Sequence, residues 1–136
     1  MSFKIAALDH LVVNVSDVEV SAAWYQRVLG MTRQDTPGTP VRTAVHFGQQ
    51  KINLRPVAAS KRDWFTAANA TVGSDDLCFL TSSSPEVIVA HLGRCGVPVE
   101  EGPVTRLGAR GAMTSVYCRD PDGNLIEIAT YGEAET

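Results

Sequence analysis

Leu8-Asp9-His10-Leu11-Val12-Val13, followed by a stretch that stops at Leu29-Gly30-Met31, returns later in the chain as Asp75-Asp76-Leu77-Cys78-Phe79-Leu80 and Cys95-Gly96-Val97. The interval from His10 to Gly30 equals that from Asp76 to Gly96, 20 residues. In both halves, then, a polar residue opens an apolar strand in fixed register with a glycine that ends a helix. Each half closes on an apolar strand holding one polar residue, Ile52-Asn53-Leu54 and Ile126-Glu127-Ile128. A duplicated plan of this kind predicts an α+β fold with a pseudo-symmetric cavity. His10, Asn53, Asp76 and Glu127 are the side chains placed to converge on it.

Working outward, Ala7 to Val15 reads as a strand, and Asp17 caps a helix whose apolar positions Val20, Ala23, Trp24, Val28 and Leu29 follow helical spacing up to Gly30. After the turn Pro37-Gly38-Thr39-Pro40, two strands follow at Arg42 to Phe47 and Lys51 to Arg55, completing a βαβββ module over about 7–57. Residues 58–74 are polar and irregular, with Trp64-Phe65 as an anchor or lid, and connect the halves. The second module, about 75–131, has a strand at Asp76 to Thr81 and a helix opened by Ser84-Pro85-Glu86 that runs to about Arg94. Glu101 to Gly111 is rich in glycine and reads as a mobile loop carrying Arg106 and Arg110 toward a ligand. Strands Met113 to Arg119 and Leu125 to Tyr131 flank the turn Asp120-Pro121-Asp122-Gly123-Asn124, and Glu133 to Thr136 reads as a frayed tail.

The whole is one domain of 136 residues, with 44% hydrophobic and 20% charged residues and a net charge of -3. That charge gives no electrostatic case for nucleic acid or an anionic membrane surface. No run of about 18 apolar residues suggests a membrane helix, and the start lacks the apolar run of a signal peptide. Three cysteines without close spacing fit reduced thiols. A cytoplasmic location is expected.

Strand alternation puts His10, Val12 and Asn14 on one face, Asp76, Cys78 and Leu80 on one face, and Leu125, Glu127 and Ala129 on one face. Leu77, Phe79, Ile126 and Ile128 are left for the helices. A carboxylate between Ile126 and Ile128 needs a charged partner, a metal or a proton, so Glu127 is the strongest cavity residue. His46 and Tyr117 stand at matching places before the two hairpin turns. With Lys51, Arg55 and Arg119 they are candidates for touching an anionic or carbonyl ligand.

The quoted opening, the helix end Trp24-Tyr25-x-x-Val28-Leu29-Gly30-Met31 and the closing Tyr117-x-Arg119-Asp120-Pro121-Asp122-Gly123-Asn124-Leu125-Ile126-Glu127 resemble the vicinal oxygen chelate superfamily. That superfamily groups glyoxalase I, extradiol dioxygenases, fosfomycin-modifying enzymes, methylmalonyl-CoA epimerase and bleomycin-binding proteins. The resemblance covers about Leu8 to Tyr131 and implies a glyoxalase-like fold, paired βαβββ modules in an open, cupped mixed β-sheet. It also implies a divalent ion (Mg, Mn, Ni, Zn or Fe) held by His10, Asp76 and Glu127, with Glu127 or Asp76 as catalytic base. Asn53, Arg55, His46, Tyr117 and Arg119 would bind substrate.

Asn53 departs from the glutamate of glyoxalase I-like members, and Asp76 from the usual histidine or glutamine. The implied function is a metal-dependent lyase or isomerase acting on a small oxygenated substrate. The alternative is a metal-free bleomycin-resistance-type binding protein; an extradiol dioxygenase, which wants a histidine at Asp76, is less favoured. A homodimer is expected from the same resemblance.

Overall fold

The computed structural model describes residues 2–132, so the tail at 133–136 lies outside the described residues. The chain falls into two compact units divided between Thr71 and Val72. Both follow the order strand, helix, three strands.

In the first unit β1 (His10–Val15) leads to α1 (Val18–Leu29), then β2 (Thr32–Thr36), β3 (Arg42–Phe47) and β4 (Gln50–Pro56). The sheet order is β1-β4-β3-β2, with β1 parallel to β4 and the other pairings antiparallel. Helix α1 starts where the Asp17 side chain accepts from the Val20 N–H at 3.1 Å. It stops at Gly30, whose φ of 68° lets its N–H and that of Met31 turn back to the last carbonyls. Tyr25 of the helix is fully buried, as are Val13, Val15, Val45, Ile52 and Leu54 of the sheet. Burial of these side chains, worth about 1.5–3 kcal/mol each, holds the layers together.

The second unit repeats the plan with β5 (Asp76–Leu80), α2 (Pro85–Arg94), β6 (Glu101–Gly108), β7 (Gly111–Arg119) and β8 (Leu125–Thr130). Its sheet order is β5-β8-β7-β6, with β5 parallel to β8. Ser84 caps α2 by accepting from the Val87 N–H at 3.3 Å, and Pro85 sits in the first turn. The helix packs on β7 and β8, where Ile88, Leu92, Val116 and Ile126 form the core.

Two elements differ from the reading above. Glu101 to Gly111 is not a loop: β6 runs antiparallel to β7 from Glu101 to Gly108, with a register shift between Glu101 and Val104. Gly102 explains how a Gly-Pro pair is accommodated there. Its φ is 106°, and a Cβ at that position would strike the Ser115 carbonyl oxygen. The other difference is β2, five polar residues with no apolar pattern, which exists because it pairs along β3 as an edge strand. No helix among the described residues is long and apolar enough to cross a membrane.

Candidate functional site

In the second unit, register places Cys78, Glu127, Tyr117 and Glu101 in one row across four strands, because Cys78 pairs with Glu127, Glu127 with Tyr117 and Tyr117 with Glu101. Asp76, Leu125 and Arg119 form the adjacent row. Directly paired residues share a face of a pleated sheet, so both rows look away from the side occupied by the α2-facing Val116, Ile126 and Ile128. The rows line a groove of about 290 Å³ bounded by Asp76, Leu125, Glu127, Tyr117 and Arg119, with Arg106, Glu100 and Glu101 completing it. A volume near the lower end of ordinary ligand pockets suits a small molecule.

Glu127 is the hub of the groove. The fully buried Ser115 donates its hydroxyl to Glu127 Oε2 at 2.6 Å. Burial raises the Cys78 thiol to about 11, helped by the charge of Glu127 and a hydrogen bond to it. The Tyr117 phenol is also raised, first by burial and then by Glu127, against a downward pull from Arg106. Both groups are therefore protonated donors at neutral pH. Three neutral donors thus surround one carboxylate.

The two arginines of the groove differ in how they are held. Arg119 grips Glu100 with two hydrogen bonds, 2.7 and 3.0 Å, and spends its remaining nitrogen on the Gly123 carbonyl at 3.3 Å. Arg106 donates from Nε to the Tyr117 hydroxyl at 3.1 Å, from Nη1 to the Thr105 carbonyl at 3.1 Å, and from Nη2 to a single Glu101 oxygen at 3.1 Å. Its guanidinium lies 5.4 Å from the Tyr117 ring centroid.

In the first unit His10, Lys51 and His46 form one cross-strand row, with Val12, Asn53 and Ala44 in the next and Asn14 with Arg55 beyond. His10 is exposed, and its Nδ1 stands 2.7 Å from Asp9 Oδ2. Asn53 and His46 are half-buried on the same face. Arg55 shares that face but is 1% exposed, with all three nitrogens committed. It donates to Asn14 Oδ1 at 2.8 Å, the Ala59 carbonyl at 2.6 Å and the Trp64 carbonyl at 3.3 Å. Trp64 is itself buried, and Arg42 lies 4.3 Å from its ring centroid. Phe65 beside it is 89% exposed.

Of the residues singled out from sequence, the structure thus gathers Asp76, Tyr117, Arg119 and Glu127 in one groove. It places His10, His46, Asn53 and Arg55 on one sheet face of the other unit. Sequence reasoning missed Ser115, Glu100 and Glu101, and assigned Arg106 to a loop. Ser115 was within reach of the strand alternation, being two residues before Tyr117 on the same face. Among the described residues, no three His, Cys, Asp or Glu side chains group so as to hold a metal ion.

Fold and groove define the class. The chain belongs to the Glyoxalase/Bleomycin resistance protein/Dioxygenase superfamily, whose model matches residues 7–128. Among its relatives, virulence protein STM3117 of Salmonella typhimurium is 43% identical over 124 residues, 91% of this chain and 83% of that protein. Glyoxalase domain-containing protein RDO1 of Mycosarcoma maydis is 40% identical, covering 97% of this chain and 72% of that protein. The solved structure of an integron cassette protein from the mobile metagenome of V. cholerae superposes with a TM-score of 0.90 at 45% identity, covering 96% of this chain and 99% of that one.

Proposed function

We propose that the chain is an enzyme of the lyase or isomerase type that moves a proton on a small oxygenated substrate bound in the groove of the second unit, with Glu127 as base. One observation carries this: a carboxylate on the open face of the sheet, anchored by Ser115 at 2.6 Å and neighboured by the neutral donors Cys78 and Tyr117. Such a group is oriented and faces a ligand-sized space.

In the proposed step the C–H bond beside a carbonyl breaks, its proton passes to Glu127, and its electron pair moves to the carbonyl oxygen. The Tyr117 hydroxyl, kept protonated, turns from Glu127 as that carboxylate takes up the proton and donates to the carbonyl oxygen as charge develops. Return of the proton from Glu127 at a different position or face completes an isomerisation. Asp76, on the same groove, is the second carboxylate available to the reaction.

The described donors do not form a three-ligand group, and no step above runs through a metal. Binding of a divalent ion is a separate part of the proposal, read by elemental analysis after incubation with Mn²⁺, Ni²⁺ or Zn²⁺. Stoichiometric metal lost in both His10→Ala and Glu127→Gln supports it, and metal-free protein removes it. A homodimer belongs to the same proposal and is read by light scattering.

The test of the main proposal is proton exchange. Small 2-hydroxy and 2-keto acids and aldehydes are incubated with the protein in D₂O, and loss of the C–H signal is followed by proton NMR. Glu127→Gln is expected to slow exchange by about 10²–10⁴-fold. Exchange that survives intact in that variant refutes the assignment. The second reading, a binding protein without turnover, is favoured by the neutral amide of Asn53 on the His10 face. It predicts stoichiometric ligand uptake with no exchange.

A further inference from the structure

We propose that Arg106, supported by Tyr117, anchors the acid group of a small carboxylate-bearing substrate, and that Glu101 is a built-in counter-ion displaced when the substrate binds. This names the substrate class of the groove and rests on the reading of that groove as the ligand site.

The two arginines of the groove have different freedom. Arg119 is held by a bidentate carboxylate and a backbone carbonyl, so two of its nitrogens already meet one anion. Arg106 is aimed by two neutral acceptors, the Tyr117 hydroxyl and the Thr105 carbonyl, and meets the Glu101 carboxylate through one nitrogen at 3.1 Å. The Arg106 and Glu101 side chains are 39% and 59% exposed. An ion pair so open to solvent is weak, so an incoming carboxylate exchanges with Glu101 at little cost. The guanidinium itself stays where Tyr117 and Thr105 point it.

Charge in the rest of the groove fixes the orientation of the ligand. Glu100 is answered by Arg119, whose charge also reaches Asp76, while the hydrogen-bond partners of Glu127 are neutral. Asp76 is on β5, at the opposite edge of the sheet from the Arg106 strand β6. A carboxylate is therefore repelled from Glu127 and drawn to Arg106, the arginine of the groove that meets its carboxylate through one oxygen only. The neighbouring carbon of the ligand then lies over Tyr117, toward Glu127, which is the carbon that the proposed base would deprotonate.

The experiment follows the Arg106 Nε–Hε resonance of ¹⁵N-labelled protein during titration with L-lactate and with its neutral analogue L-lactamide. L-Lactate is expected to shift that resonance saturably, and L-lactamide to leave it in place. Glu101→Gln should tighten L-lactate binding by about two- to fivefold through loss of the competing carboxylate. Arg106→Gln should weaken it by about tenfold or more, with Arg106→Lys recovering part of the loss.

Equal binding of the amide, or L-lactate affinity unchanged in Arg106→Gln, overturns the anchor. The base assignment is read separately by deuterium exchange in Glu127→Gln. Exchange surviving there while Arg106 still responds to L-lactate removes the base and keeps the anchor.

Discussion

Replacing Arg55 with methionine tests whether this arginine holds the fold or a ligand. Methionine keeps the unbranched shape and removes all three donors. The acceptors left behind are Asn14 Oδ1 and the carbonyls of Ala59 and Trp64, previously met at 2.8, 2.6 and 3.3 Å. An acceptor stranded away from water costs about 1–3 kcal/mol. The carbonyls of the connecting segment can turn partly to solvent and the 3.3 Å contact is the weakest, so each of the three is counted near the low end. The desolvation cost of the guanidinium, recovered in the variant, offsets a further part.

The sum is a loss of about 2 kcal/mol, or roughly 7 °C in melting temperature for a chain of this length. Thermal unfolding followed by circular dichroism reads the global effect, and tryptophan fluorescence reports the local one through buried Trp64. Arg55→Lys should recover less than half. A double-mutant cycle with Asn14→Ala should give a coupling of about 1 kcal/mol. Stability within about 0.5 kcal/mol of the parent refutes the structural role. If that stable variant also failed to bind ligand, Arg55 would return to the site as a ligand contact.

Other predictions follow from groups whose ionisation the fold shifts. Asp75 is raised, first by burial and then by the charge of Asp120, so the folded chain holds its proton more tightly than the unfolded one. Its contribution favours folding below the unfolded carboxyl pKa and is lost as pH rises through the folded one, which makes ionised Asp75 a cost at neutral pH. Asp75→Asn should stabilise the protein at pH 7, by less than about 1 kcal/mol because solvent screens the group. The gain should vanish as pH falls through the carboxylate range in a series of melts; a gain constant with pH would contradict this. Cys78, although exposed, should alkylate slowly with iodoacetamide at pH 7, its rate rising with pH toward about 11. Glu127→Gln removes two of the upward influences on that thiol and should speed the reaction at pH 8, and an unchanged rate would place the carboxylate out of reach of Cys78.

Much of the fold was legible because it is carried by local signals. The caps Asp17 and Ser84, the stop at Gly30 and the turn around Gly123 each act through their own few residues, and strand alternation is a property of the backbone. That alternation correctly set Asp76 and Cys78 apart from Leu77 and Phe79, and Glu127 apart from Ile126 and Ile128, and the sheet register then brought Cys78 opposite Glu127. The strand β6 was illegible because glycine, proline and charged residues argue against a strand. Its formation depends on pairing to β7, more than local propensity can veto. For the same reason Arg106 read as a loop residue when it is in fact fixed in register opposite Met113, from where its side chain reaches the Tyr117 hydroxyl.

The sequence by itself determined the duplicated plan, the family and the polar positions on the inner strands, since repeats and periodicity survive without any knowledge of contacts. Only the tertiary structure decided what each polar side chain spends its hydrogen bonds on. Arg55 and Arg119 look alike in sequence, each one arginine near a strand end, yet one is buried against backbone carbonyls and the other clasps Glu100. The difference arises from which distant acceptors the fold delivers, Ala59 and Trp64 in one case and Glu100 in the other. An isolated strand holds no record of partners that reach it through the closing of a loop.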